Sequence, residues 1–296
     1  MIYFLFSIFD KYNCNLMNIK TFKDSLIGLF LGMAIMLSAY YLIPKESLLK
    51  IFPNSSLETI IFIGSVILCP FIAILIHELG HLFAGLIQGF KLQLFVVAFL
   101  GIKRVNDKIE FYFNKDLQFY GGIAATSPLQ ISKNLKNQFA YILIAGPLFS
   151  LIFGILLILL FNITESVFSS SIGITGVISI GLFFATTLPD KSGVFFTDRK
   201  RMQRLLDNGR IGEIEYSFIK TSSQLLIDTH YKNISPEDLK IIQSDGEPII
   251  QFWGHYYEFK YYDEIGNKEM ALAIKNKLYH YKEIVPQNIW KSLLIN

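Results

Sequence analysis

The stretch FIAILIHELGHLFAGLIQGF, Phe71–Phe90, decides the fold. It is apolar enough to cross a bilayer, yet it carries two histidines and a glutamate at its middle. A charged group at the bilayer centre costs about 2.5–3.5 kcal/mol on insertion scales, so such residues mark function there. His77-Glu78-Leu79-Gly80-His81 is an H-E-x-x-H sequence. On a helix, side chains four apart share a face, so the two imidazoles can converge on one ion. Glu78 is offset around the helix, where it reaches a water beside the metal rather than the metal itself. A zinc site with Glu78 as general base is therefore expected, with His77 and His81 as two of its ligands.

The rest of the chain fits a membrane protein. Its 296 residues are 52% hydrophobic with a mean hydropathy of +0.42, too apolar for an ordinary soluble domain. A net charge of +3 gives no reason to expect nucleic acid as a partner. Cys14 and Cys69 stand apart in unlike surroundings, which argues against a disulfide framework. The opening MIYFLFSIFD lacks a basic start and a small-residue cleavage site and reads as a short interfacial helix.

Four segments are long enough to span at roughly 20 residues per crossing: 25–43, one within 57–90, 139–161 and 172–188. The second is too long for one straight crossing, so a bent or tilted helix is expected, with Pro70 as the kink. Lysines and arginines gather before the first span, between the second and third, and after the fourth. The positive-inside rule then puts both termini in the cytoplasm of a multi-pass cell-membrane protein. Lys91 to Phe113 reads as a membrane-associated β-hairpin turning at Val105-Asn106-Asp107. The expected fold is thus all-α and polytopic, with about four transmembrane helices, this small hairpin, and a C-terminal cytoplasmic helical domain. The expected divisions are 1–24, an N-terminal segment; 25–198, the transmembrane core; and 199–296, the helical domain. In the last, FWGHYYEFKYYDEIGNKEMALAIKNKLYHYKEIVP reads as a helical hairpin with Gly266 near its turn and Ala271 and Ala273 as close-packing positions. It faintly resembles a tetratricopeptide unit. The aromatics of residues 252–262 are expected to pack that hairpin, with a partner or membrane-surface role as the alternative; a cytoplasmic partner of the domain is also expected.

Two histidines leave a catalytic zinc short of a third protein ligand. The extended H-E-x-x-H-x-x-G-x-x-H form fails, because Ala84 and Ile87 occupy its later positions. Acidic residues near the cytoplasmic edge are Asp107, Glu110, Asp116, Asp190 and Asp198.

The chain here resembles the site-2 protease family of intramembrane zinc metalloproteases. Four blocks carry the resemblance in order: IHELGHLFAG, LQFYGGIAATSP, LIAGPLFSLIFG and TTLPDKSGVFFTDRKRM. It implies His77 and His81 as zinc ligands, Glu78 as the catalytic residue, and Asp198 as the third ligand with Asp190 as runner-up. A plain helix N-terminal acid is the other reading of Asp198. The chain departs from the family at Arg199, where a glycine is usual, and at Thr186 and Ser150, where asparagines near substrate are usual. Those two are accordingly expected to contact substrate. Gly121-Gly122 is either a simple turn or part of a catalytic loop.

The expected activity is hydrolysis of a peptide bond in a membrane-embedded or membrane-associated peptide or protein. The 91–113 hairpin would hold the substrate as an added strand beside the metal. Two alternatives stand beside it. One is a non-proteolytic membrane scaffold or peptide-immunity protein on the same fold. The other is a membrane zinc protease of another clan using Glu110.

Overall fold

A computed structural model of the protein describes residues 53, 55–116, 119–164, 166–192 and 195–294. The expected N-terminal segment, the span at 25–43 and Cys14 lie outside the described residues. Helix α1 (Ser56–Ile87) is followed by strands β1 (Lys91–Val97), β2 (Leu100–Val105), β3 (Lys108–Phe113) and β4 (Ile123–Ser127). Helices α2 (Leu135–Ile163) and α3 (Ser169–Thr187) come next, then a two-residue pair, β5 (Lys191–Ser192) and β6 (Phe195–Phe196). The remainder is helical: α4 (Asp198–Leu206), α5 (Arg210–Asp228), α6 (Pro236–Gln243), α7 (Pro248–Glu264), α8 (Lys268–Leu278) and α9 (Gln287–Leu294).

Among the described residues, α1, α2 and α3 are long and apolar enough to cross a membrane. Their outward faces are lined with large apolar side chains, Ile60, Ile63, Val66 and Ile67 on α1 and Ile152, Leu156 and Leu159 on α2. Helix α1 runs unbroken through Pro70 for 32 residues, about 48 Å against a hydrocarbon core of about 30 Å. Its start is capped by the Ser55 side chain, which accepts the Glu58 N–H at 3.2 Å.

Between apolar helices in lipid there is little hydrophobic driving force, so close approach of small residues does the packing. A Cβ on Gly80 would lie 2.7 Å from the Ala145 carbonyl and 2.9 Å from Gly146 Cα, so α1 and α2 are in backbone contact there. Gly154 and Gly176 make the equivalent approach between α2 and α3. Hydroxyls add to it: Ser65 and Ser171 are hydrogen-bonded between α1 and α3.

The expected all-α fold with one hairpin needs correction. The segment forms a four-stranded antiparallel sheet in the order β3-β2-β1-β4. Asn106 and Asp107, with φ of 48° and 61°, make the expected tight turn between β2 and β3. A second turn breaks the expected first strand at Ala98, φ 52°, where the Asn114 side chain donates to the Ala98 carbonyl at 2.7 Å. The fourth strand comes from the segment after Gly121-Gly122 and pairs with β1. A Schellman turn sets the sheet against α1: Phe90 N–H bonds the Gly85 carbonyl, Gly89 N–H bonds Leu86, and Gly89 sits at φ 79°.

The helices after α4 are held by a different force. Trp253, Tyr256, Tyr257, Phe252 and Phe218 are fully buried in one core. Each such side chain contributes roughly 1.5–3 kcal/mol by leaving water. The expected hairpin is α7–α8, turning at Gly266 with φ 81°. Ala271 is buried as expected, whereas Ala273 is exposed. The expected boundary at 198/199 falls within the first turn of α4, so the residues on either side of it share one helix.

Candidate metal centre

His77, Glu78 and His81 lie in the second half of α1, all buried. The four-residue spacing stacks the two imidazoles edge to face, with centroids 4.9 Å apart and Nε2 atoms at 3.3 Å. Their far nitrogens are taken. His81 Nδ1 meets the Ile142 carbonyl at 2.7 Å, and His77 Nδ1 meets the Ser150 hydroxyl at 2.9 Å. A carbonyl only accepts, so His81 carries its proton on Nδ1 and turns the Nε2 lone pair inward. Helix α2 can come this close because Gly146 lacks a Cβ; one built there would strike the His81 ring.

The third group arrives from the far end of the core. Asp198, the first residue of α4, places Oδ2 at 3.3 Å from His77 Nε2 and 3.5 Å from His81 Nε2. The Pro189–Asp198 loop folds back through β5 and β6, and Thr197 ties it off by donating its hydroxyl to the Pro189 carbonyl at 2.7 Å. Arg199, the residue that departs from the family glycine, caps α3. Its guanidinium donates to the Thr187 carbonyl, to Leu188 at 3.2 Å and to Asp190 at 3.1 Å.

These donors fit zinc. Bonds of about 2.0–2.2 Å in a tetrahedron separate ligand atoms by about 3.3–3.6 Å, and the three edges here measure 3.3, 3.3 and 3.5 Å. Two imidazole nitrogens and one carboxylate oxygen are one of the established protein sets of a catalytic zinc, with the fourth position left to water. Among the described residues, these are the one group of three or more His, Cys, Asp or Glu able to hold a metal. Asp190 and Glu110 are not in it. Asp190 is exposed and pairs with Arg199 and Lys200, and Glu110 sits exposed on β3.

Glu78 is buried beside the group and faces the start of β4, where the Ala124 N–H bonds its carboxylate. Gly122, at φ 88°, passes so close that a Cβ would lie 2.7 Å from Glu78 Cγ. The glycine pair is thus a turn that also lets the backbone approach the glutamate. The strand bordering the site is β4, which among the described strands pairs only with β1. The hairpin expected to hold substrate beside the metal ends in β3, at the opposite edge of the sheet and about 14 Å from β4 at the usual strand spacing.

Ser150 and Thr186 are placed differently from expectation. Ser150 is 0% exposed, and its hydroxyl meets His77 rather than open space. Thr186 returns its hydroxyl to the carbonyls of Leu182 and Phe183 on its own helix. Partners behind a ligating histidine typically tune metal affinity 10–100-fold. Ser150→Ala should accordingly weaken zinc binding by about that factor, measured by chelator competition; unchanged affinity would remove Ser150 from the site. The Ile142 carbonyl, the Ala124 N–H and Gly122 carry no chemical signature of their own in the sequence; Gly122 and Ala124 fall in the GGIAATS block, and Ile142 lies just before LIAGPLFS.

The model of peptidase family M50 matches residues 65–290, from α1 to α9. No curated protein and no solved structure matches the chain. With 226 of 296 residues matched, and a site of the kind that family's chemistry needs, the chain belongs to peptidase family M50, the site-2 protease family of membrane zinc metalloproteases.

Proposed function

We propose that this protein hydrolyses a peptide bond of a membrane-embedded or membrane-associated peptide or protein, with His77, His81 and Asp198 holding zinc and Glu78 moving the proton. One observation carries the reading: three donors from two distant stretches of chain converge with tetrahedral zinc spacing, and a buried carboxylate lies beside them. Zinc bound there supplies a Lewis acid and brings the pKa of its water toward about 7. The chain's own residues do the rest. His81 and His77 are locked in orientation by Ile142 and Ser150. Glu78 accepts the proton of the attacking water and returns it to the leaving amide nitrogen. The Ala124 N–H holds the glutamate on the side of the group where β4 runs.

The substrate must expose a carbonyl, so a helical segment has to unwind before cleavage. An extended segment lying along the outer edge of β4 would pass beside Glu78, a form of strand addition. Lysine and arginine placement favours a topology with both termini in the cytoplasm and the site in the cytoplasmic half of α1. The test uses full-length protein reconstituted in lipid vesicles with membrane-anchored peptides. Cleavage should stop on chelation and return on adding zinc. Cleavage that survives complete zinc removal would reject the reading.

A further inference from the structure

Asp198 is the one donor of the group that does not sit on α1, and the chain on both sides of it is gripped by the helices that follow. Upstream, Phe195 and Phe196 pack against the C-terminal core, and Lys191 Nζ pairs with Glu247 at 2.6 Å. Downstream, Arg201 donates to Glu215 Oε1 through Nε at 2.9 Å and Nη2 at 2.7 Å. Arg204 donates to Glu215 Oε2 at 3.1 Å and to Asp245, and its guanidinium lies 4.4 Å over the Phe196 ring. Glu215 is 2% exposed, and burial alone would push its carboxyl up. Arg201 and Arg204 outweigh that and hold it below the usual carboxylate range.

Helix α4 is too short to hold its own direction. It has nine residues, and its N-cap hydroxyl is spent on Pro189 rather than on the helix. Leu205, fully buried, seats its other end against Phe90, Leu135 and Ile219. Arg199 and Lys200 tie its first turn to the end of α3 and Asp190, and the pair of arginines about one and two turns beyond Asp198 hold its other face, both converging on one carboxylate. A ligand set must be held to within about 0.5 Å to bind well.

We propose that the helices after α4 are part of the metal site, with Glu215 as a positioning residue. Through Arg201 and Arg204 it sets the rotation of α4 and so the approach of the Asp198 carboxylate to the two imidazoles. This rests on the zinc reading above. It makes zinc affinity report on how α5 is seated, although no residue of α5 is a ligand.

The test is zinc affinity of the full chain in detergent by chelator competition, with thermal unfolding measured with and without zinc. Glu215→Gln keeps the shape of the side chain and removes its charge. It should weaken zinc about 10–100-fold and shrink the zinc-induced rise in Tm, whereas Glu215→Asp should recover most of both. Ile274→Val, a core change on α8, should lower Tm without altering zinc affinity. A folded Glu215→Gln protein that binds zinc like the wild type overturns the proposal. Should Glu215→Gln fail to fold, Phe196→Ala removes the ring under Arg204 at a partly buried position. It should weaken zinc in the same direction, and unchanged affinity there overturns the proposal as well. A wild type whose zinc is indifferent to His77→Ala overturns the zinc reading and this inference together, whereas loss of zinc in His77→Ala but not in the Glu215 and Phe196 variants overturns this inference alone.

Discussion

Glu78→Gln should abolish peptide cleavage while leaving zinc bound. Glutamine has nearly the same shape, and its carbonyl oxygen can still accept the Ala124 N–H, so the packing against Gly122 and β4 is kept. What disappears is the ability to take a proton from water and return it to the amide nitrogen. General acid–base catalysis contributes about 10²–10⁴-fold, or roughly 3–5 kcal/mol of barrier. One residue serves both proton transfers here, so the loss should fall at the upper end. Cleavage rate and metal content measured on the same preparation decide it. Substantial activity with zinc in place would remove Glu78 from proton transfer, and loss of zinc along with activity would make it part of the metal's support instead.

The second large effect concerns the third donor. Asp198→Ala should reduce zinc affinity by more than the 10–100-fold typical of an outer partner, because a group within 3.5 Å of both imidazole nitrogens is removed. Stability of the zinc-free protein should fall far less. The lost contribution of an acid in the first turn of α4 is about 0.3–1 kcal/mol. Asp190→Ala supplies the contrast. Its exposed pairs with Arg199 and Lys200 are worth about 0–1 kcal/mol, and zinc affinity should not change. Equal zinc loss in both variants, or loss in Asp190→Ala alone, would contradict the assignment.

The parts of this molecule that were legible in sequence are those specified locally. His77 and His81 are four residues apart on one helix, and that spacing fixes their geometry wherever the helix goes. The spans are legible for the same reason, since hydropathy is a property of a window. Asp198 lies more than a hundred residues from the histidines, and only the order of the four family blocks singled it out from Asp190. Strand β4 was missed because it is buried along nearly its whole length and built of small residues, Ile-Ala-Ala-Thr-Ser, with no alternation to read. The turn at Ala98 was hidden because alanine is not a turn former; a side chain sixteen residues away, Asn114, stabilises it. Ser150 was expected near substrate because it stands where an asparagine is usual in the family. Its burial against His77 depends on how α2 crosses α1 at Gly80 and Gly146, which no local pattern encodes. The role of Arg201 and Arg204 was masked in the same way. In the sequence they are part of a basic run after a membrane span, and only the fold brings Glu215 to them.

The most direct test of the central claim is X-ray absorption at the zinc edge on the purified full-length protein. One zinc per chain, with scattering from two imidazoles and shells of nitrogen and oxygen at about 2.0–2.2 Å, is the expected result, and one imidazole should be lost in His81→Ala. Zinc well below one per chain, or a shell without imidazole scattering, would contradict a metal held by His77, His81 and Asp198.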